Sequence, residues 1–262
     1  MKIVVFDLDE TLGYFTEFSI FWDCLKKYFK REGINDHLNQ TDFNDILDLF
    51  PEFLRPNILN ILSYLKDKKQ SKCCNKMMIY TNNQGPKEWA QQIIAYFESK
   101  IKYKLFDQII SAFKVNGKRV ELCRTRQDKT HKDFIKCTKL PLNSEICFLD
   151  DAIHSEMIND NIYYINLKPY YYDLQINTMI SKFKNSIIGK KIIINEEVFE
   201  EIMKNEFKKY NYTCLDKNLN EYEVDKVLGK QIMVHLHEFF NKSVKNKTRK
   251  FLIKKNKTKR KY

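Results

Sequence analysis

Near its start the chain runs Lys2-Ile3-Val4-Val5-Phe6 and passes straight into Asp7-Leu8-Asp9-Glu10. No other feature constrains the fold as tightly. Four apolar residues in a row, three of them β-branched, suit a strand buried on both faces. The acids must then leave the sheet at the strand's end, because crowded carboxylates repel one another and cost free energy to desolvate. The pattern recurs. Met77–Tyr80 runs into Thr81-Asn82-Asn83-Gln84-Gly85, and Ile146–Leu149 runs into Asp150-Asp151.

Helical periodicity separates these runs. Phe18–Lys30 carries Phe18, Phe21, Trp22, Leu25 and Phe29 on one face. Asp42–Phe50 reads as a second helix with Asp42 as its N-cap, and Arg55-Pro56 opens a third through Leu65 with Pro56 in its first turn. Pro86–Lys100 and Lys129–Lys139 are helical. Phe106–Phe113 reads as a strand, Asn116-Gly117 as a hairpin turn with Arg119–Cys123 returning, and Ile162–Leu167 as a last strand. This rhythm predicts an α/β fold, a Rossmann-like parallel sheet covered on both faces. In such sheets ligands bind at the carboxyl ends of the strands. The core closes near Leu174. Beyond it Lys191–Asn195 reads as a strand, and Glu197–Tyr210 and Val224–Asn241 read as helices, either docked on the core or forming a small unit of their own.

Composition narrows the class. The 262 residues are 43% hydrophobic, with only 6 Gly and 5 Pro, which excludes fibrous and loop-rich proteins. No secretory signal or transmembrane segment is expected. Cys24, Cys73, Cys74, Cys123, Cys137, Cys147 and Cys214 are odd in number and lack a Cys-x-x-Cys pair. They read as free thiols in a reducing, intracellular setting, cytoplasmic or nuclear. Eleven Lys or Arg fall in residues 241–262, so the formal charge of +12 leaves +1 for the first 240 residues. Such a basic tail is expected to be disordered, and it suits nonspecific contact with nucleic acid through phosphates.

Acids at two strand ends suggest a Mg²⁺ site, since carboxylate oxygens suit that ion. Beside a divalent cation, Asp7 can attack phosphorus and form an aspartyl-phosphate. Asp9 can protonate the leaving oxygen and later activate water. Thr81 and Asn82 can hydrogen-bond phosphoryl oxygens, and a lysine is needed to offset charge. Two lysines upstream of the Ile146 strand qualify. Lys129 is preferred because it opens its helix, and Lys132 lies a turn further in. His235 and His237 point to different faces of one helix and do not form a zinc pair. His154 lies near enough to the acids to meet a substrate.

Asp7-Leu8-Asp9-Glu10-Thr11-Leu12, Thr81-Asn82 and Asp150-Asp151 resemble the first, second and fourth motifs of the haloacid dehalogenase (HAD) superfamily, over about residues 1–174. Arg55-Pro56 and Leu105-Phe106-Asp107 are similar to the branch containing RNA polymerase II C-terminal-domain phosphatases and NLI-interacting-factor-like proteins. That branch usually has Ser-Pro after its second pair of acids, where this chain has Ala152-Ile153. The resemblance implies a Mg²⁺-dependent phosphatase acting on a phosphoprotein or a nucleic-acid phosphate end. Asp7 would be nucleophile and metal ligand, and Asp9 the acid/base with its backbone carbonyl on the metal. Thr81, Asn82 and Lys129 would bind phosphate, and Asp150 and Asp151 would hold the metal. Residues 13–55 would then be a cap-like helical insertion. Its Trp22, Tyr28, Phe29 and Phe43 either partly cover the site or simply pack on the core. Residues 175–240 would be a mainly helical extension. A small-metabolite phosphatase and a non-catalytic binding protein acting through its tail are the rival expectations.

Overall fold

The computed structural model describes residues 1–34, 38–215 and 217–241. In chain order the strands are β1 (Lys2–Phe6), β2 (Lys76–Tyr80), β3 (Gln108–Ile110), β4 (Lys114–Val115), β5 (Lys118–Arg119), β6 (Glu145–Asp150) and β7 (Ile162–Asn166). Helices α1 (Thr16–Arg31), α2 (Gln40–Leu47) and α3 (Ile58–Gln70) separate β1 from β2. Helix α4 (Lys87–Ile101) follows β2, and α5 (His131–Thr138) precedes β6. Then α6 (Ile176–Asn185), α7 (Ile187–Ile192), α8 (Glu196–Lys208) and α9 (Leu219–Asn241) follow β7. The central sheet is wholly parallel, in the order β3-β2-β1-β6-β7, as expected of a Rossmann-like α/β fold. The order reverses between β1 and β6, which is where open sheets of this type leave a crevice.

Alternation along the strands builds two cores. Val4, Phe6, Met77, Ile79, Cys147 and Leu149 face a large one, shared with buried residues of α1–α4, α6, α8 and α9. Ile3, Val5, Met78, Tyr80, Ile146 and Phe148 face a smaller one, closed by Phe134 of α5 and by Met157. The large core is aromatic. Phe18 of α1 packs on Phe43, Phe50, Phe53 and Trp89, each ring centroid within 6.3 Å. A fully buried Phe contributes about 2–3 kcal/mol relative to exposure. Phe183, Phe199, Leu236 and Phe239 of the C-terminal helices join this core, so they dock on the sheet. Gly229 of α9 seats against the 55–57 turn, where an added Cβ would stand 2.3 Å from the Pro56 carbonyl oxygen.

Several local expectations are corrected. Asn39, not Asp42, caps α2. Its side chain accepts from the Thr41 and Asp42 N–H groups while Asp42 accepts from the Asn39 N–H, a reciprocal capping box. Helix α3 starts at Ile58, after Asn57 in the left-handed region (φ 69°), so Pro56 lies outside it. The strand read at Phe106–Phe113 shortens to β3. The returning strand shortens to β5, because the Arg119 guanidinium folds back onto the Leu122 and Arg124 carbonyls. None of Lys191–Asn195 is strand, and Lys191 and Ile192 belong to α7. Ser186 caps α7 and Asn195 caps α8, and these caps override the β-branched propensity between them.

Not all cysteines are free thiols. Cys123 and Cys137 form a disulfide, because the chain after the hairpin runs back along α5 and brings their Cα atoms to 5.0 Å. The basic tail beyond Asn241 lies outside the described residues. Among those described, no helix is long and apolar enough to cross a membrane.

Glu17, in the first turn of α1, is fully buried. Its carboxylate accepts from the Leu174 N–H at 2.7 Å and lies 3.6 Å from the Cys214 sulfur. Burial pushes its pKa up to about 7 from an ordinary 4.5. The unfolded chain therefore ionises Glu17 first, and stability falls as pH rises from about 4.5 to 7. Glu17→Gln is expected to flatten that slope and to be more stable than the native chain at pH 8 by about 2 kcal/mol, read by urea unfolding at pH 5 and pH 8.

Candidate active site

Parallel register assembles the site. Phe6 pairs with Leu149 and with Ile79, so Asp7 emerges level with Asp150 and beside Tyr80. The Asp7 N–H still donates to the Leu149 carbonyl at 2.9 Å. After Asp7 the chain turns sharply. Glu10 takes a left-handed conformation (φ 58°), its N–H donates to the Gly13 carbonyl, and Thr11 is buried. Gly13 is needed here for close approach, since a Cβ would stand 2.5 Å from the Phe53 carbonyl oxygen.

Buried Arg55 fastens this turn. Its guanidinium donates to the Thr11 carbonyl at 2.6 Å, to the Lys168 carbonyl at 2.9 Å and to the Glu10 carbonyl. The Thr11 hydroxyl donates to Asp151 at 3.0 Å, tying the turn after β1 to the loop after β6. The Ala152 N–H donates to Asp150 at 2.9 Å, and the Asn166 side chain donates to the Asp150 and Asp151 carbonyls.

Lys129 sits between the strand ends. Its Nζ donates to Asp7 at 2.5 Å and to Asp150 at 2.6 Å, with only 2% of its side chain exposed. Lys132 is exposed on α5. The structure therefore brings Lys129, not Lys132, to the acids. It does so from the residue before the α5 N-cap, Thr130, rather than from inside the helix. His154 Nε2 lies 3.5 Å from Asp150.

Oxygens of Asp7, Asp150 and Asp151 lie within 4.8 Å of one another. The Asp9 carboxylate stands outside that group and accepts from the Asn83 side-chain amide at 2.7 Å. Buried Thr81 accepts from the Asn83 N–H at 3.0 Å, and the Asn83 side-chain oxygen accepts from the Gly85 N–H. Asn82 is held by Arg124, whose guanidinium donates to its Oδ1 at 2.8 Å and also to the Thr81, Ser111 and Gln127 carbonyls. The expected Asp7, Asp9, Thr81, Asn82, Lys129, Asp150 and Asp151 thus gather at the carboxyl ends of the central strands. Asn83 and the buried Arg124 were not anticipated. Asn83 carried a faint signal, as an amide two residues before a glycine in a strand-end turn. Arg124 carried none.

The charges are unevenly matched. Burial pushes Asp7 up to about 7, against the pull of Lys129 and helped by the Asp150 charge. Burial also raises Asp9, although the Asn83 hydrogen bond works the other way. Asp151 is raised by burial and by its neighbour Asp150. Burial works against charge on Asp150 too, but His154 and Lys129 outweigh it and hold its pKa low. Burial opposes charge on Lys129, and Asp7 and Asp150 overcome it, so its pKa is raised.

Compared with known proteins, the chain matches no family model, no curated protein and no solved structure. The chemistry of the site therefore rests on its own geometry. An all-oxygen donor set from Asp7, Asp150 and Asp151, with one lysine among four acids, suits a hard divalent cation.

Lys129→Met is expected to leave Asp7 and Asp150 buried without their partner and to cost about 3–5 kcal/mol of stability in chelator. A divalent cation should recover part of that loss. Urea unfolding with and without Mg²⁺ checks both, and an equal loss in the two conditions would argue against cation binding at these acids.

Proposed function

We propose that the chain is a Mg²⁺-dependent phosphatase of the HAD type, hydrolysing a phosphate monoester through an aspartyl-phosphate on Asp7. The observation that carries this reading is the pair Asp7 and Asp9 on one turn at the switch point, with Lys129 hydrogen-bonded to the first and Asn83 to the second.

Each side chain has a task in that reaction. An Asp7 carboxylate oxygen attacks phosphorus, and the bond from phosphorus to the leaving oxygen breaks. Asp9 gives its proton to that oxygen, a role suited to an acid whose pKa burial has raised. Asn83 keeps Asp9 aimed. Asp9 then takes a proton from water, the water oxygen attacks phosphorus, and the bond to Asp7 breaks to release inorganic phosphate. Lys129 offsets negative charge on Asp7 and on the phosphoryl group throughout. Thr81 and the Asn82 amide group donate to phosphoryl oxygens, on a strand end that Arg124 holds still. Asp7, Asp150, Asp151 and the Asp9 backbone carbonyl would hold Mg²⁺, which when bound neutralises the phosphoryl oxygens.

The insertion bears on substrate size. Trp22, Tyr28, Phe29 and Phe43 are all buried in the large core, so these aromatics are not spare to line a closed pocket. That supports a phosphate carried on a macromolecule, a phosphoprotein or a nucleic-acid end, over a small metabolite.

Hydrolysis of p-nitrophenyl phosphate by the native chain is expected to require Mg²⁺. Asp7→Asn should lower kcat by at least about 1,000-fold. Asn83→Ala should lower kcat roughly tenfold with little change in KM, because Asp9 would remain but lose its orientation. Equal turnover by the native chain and Asp7→Asn would overturn the reading.

A further inference from the structure

The Cys123–Cys137 bond closes a loop that holds two of the site's buried cations. Arg124, next to Cys123, grips the Thr81 and Asn82 strand end, and Lys129 bridges Asp7 and Asp150. Both sulfurs belong to half-buried residues, within reach of small thiols. Cys24, Cys73 and Cys74 remain thiols in the same chain, the last of them fully buried. A lone disulfide among thiols is the pattern of a regulatory bond rather than of a secreted scaffold.

We propose that Cys123 and Cys137 are a redox modification site. Their bond fastens the segment carrying Arg124 and Lys129, and its reduction by a thiol of the glutathione class loosens that segment. This regulation rests on the phosphatase reading, whereas the modification itself does not. Oxidation runs by thiol–disulfide exchange. The Cys137 thiolate attacks one sulfur of glutathione disulfide, forming a mixed disulfide and releasing one glutathione. The Cys123 thiolate then attacks the Cys137 sulfur and releases the second. Two protein thiols lose two protons and two electrons, and one glutathione disulfide becomes two glutathione thiols. The two cysteines can exchange roles in these steps, and the balance is the same.

The bond acts at a distance from the chemistry. Neither cysteine touches Asp7 or Asp9 through any contact of the site, so both can be changed without removing a reacting group. Oxidised, the segment from 123 to 137 is a closed ring. Reduced, the segment keeps the Arg124 and Lys129 contacts, the Thr125 bonds to Asp133 and the Arg126–Glu156 pair but loses its cross-link, and amides between Arg124 and Lys129 should open more often.

The full-length chain would be equilibrated over a series of reduced and oxidised glutathione mixtures. A chelator is included, because Glu121 and the two sulfurs are close enough together to take a metal once reduced. Alkylation and peptide mapping would report which thiols are protected, and amide hydrogen exchange would follow residues 124–130. Cys123 and Cys137 are expected to become protected together, with slower exchange in the oxidised form. Cys123→Ser and Cys137→Ser should each match the reduced form. Turnover in the reduced form should fall roughly tenfold, short of the ~100-fold that displacing a catalytic group by an ångström costs. If the two cysteines stay alkylatable at every ratio, or if exchange at 124–130 is the same in both forms, the proposal is overturned. If the bond forms and slows exchange in a chain without hydrolysis in either form, the modification site stands and the phosphatase reading fails.

Discussion

One buried ammonium group stands among four carboxylates at the middle of the sheet, and much of the structure is arranged around that imbalance. Asp7 and Asp150 end neighbouring parallel strands, so the register that pairs Phe6 with Leu149 forces them together. Two like charges about 4 Å apart repel by roughly 4 kcal/mol even at an effective dielectric constant near 20. Lys129 relieves that clash by donating to both. The remaining acids are restrained by neutral donors: Asn83 holds Asp9 and the Thr11 hydroxyl holds Asp151. These bonds fix geometry without cancelling charge, so the cluster keeps a strong attraction for a further cation.

The cations that do not meet the acids directly serve the backbone instead. Arg55 and Arg124 are both fully buried, and each spends its donors mainly on carbonyl groups, Arg55 behind the turn after β1 and Arg124 behind the ends of β2 and β3. A planar guanidinium can satisfy several carbonyls at once, which a lysine cannot do in the same fixed geometry. Beneath Arg55, fully buried Asp225 of α9 meets Lys217 and Lys168, so the last helix takes part in the support of the first turn.

The parts that could be read in the sequence are those set by short-range pattern. An apolar run followed by acids shows both a buried strand and where it must end, which is why Asp7, Asp9, Asp150 and Asp151 were legible one at a time. Their convergence followed from the parallel α/β rhythm. Lys129 was legible only as one of two lysines, because the choice depended on where α5 begins. Arg124 was invisible, since a buried arginine looks like a surface one until its carbonyl partners are known. The Cys123–Cys137 bond was missed for the same reason, because no local spacing shows that the hairpin returns along α5. At Lys191–Asn195, side-chain caps from Ser186 and Asn195 decided the conformation, and β-branched composition misled.

The strand that carries Asp7 precedes every other strand of the sheet in chain order and sits in the middle. Its β2 edge is complete after residue 80, but its β6 edge waits for residues 145–150, and the Lys2 ammonium group finds the Phe239 and Phe240 carbonyls only at the end of α9. On the ribosome, therefore, β1 waits with one open apolar edge until β6, which starts at Glu145, is synthesised. Asp7 meets its lysine before its acidic neighbour exists, so charge relief precedes charge crowding in the order of synthesis. A nascent chain halted before residue 145 displays a central strand with one edge unpaired, the kind of surface that chaperones and aggregation compete for.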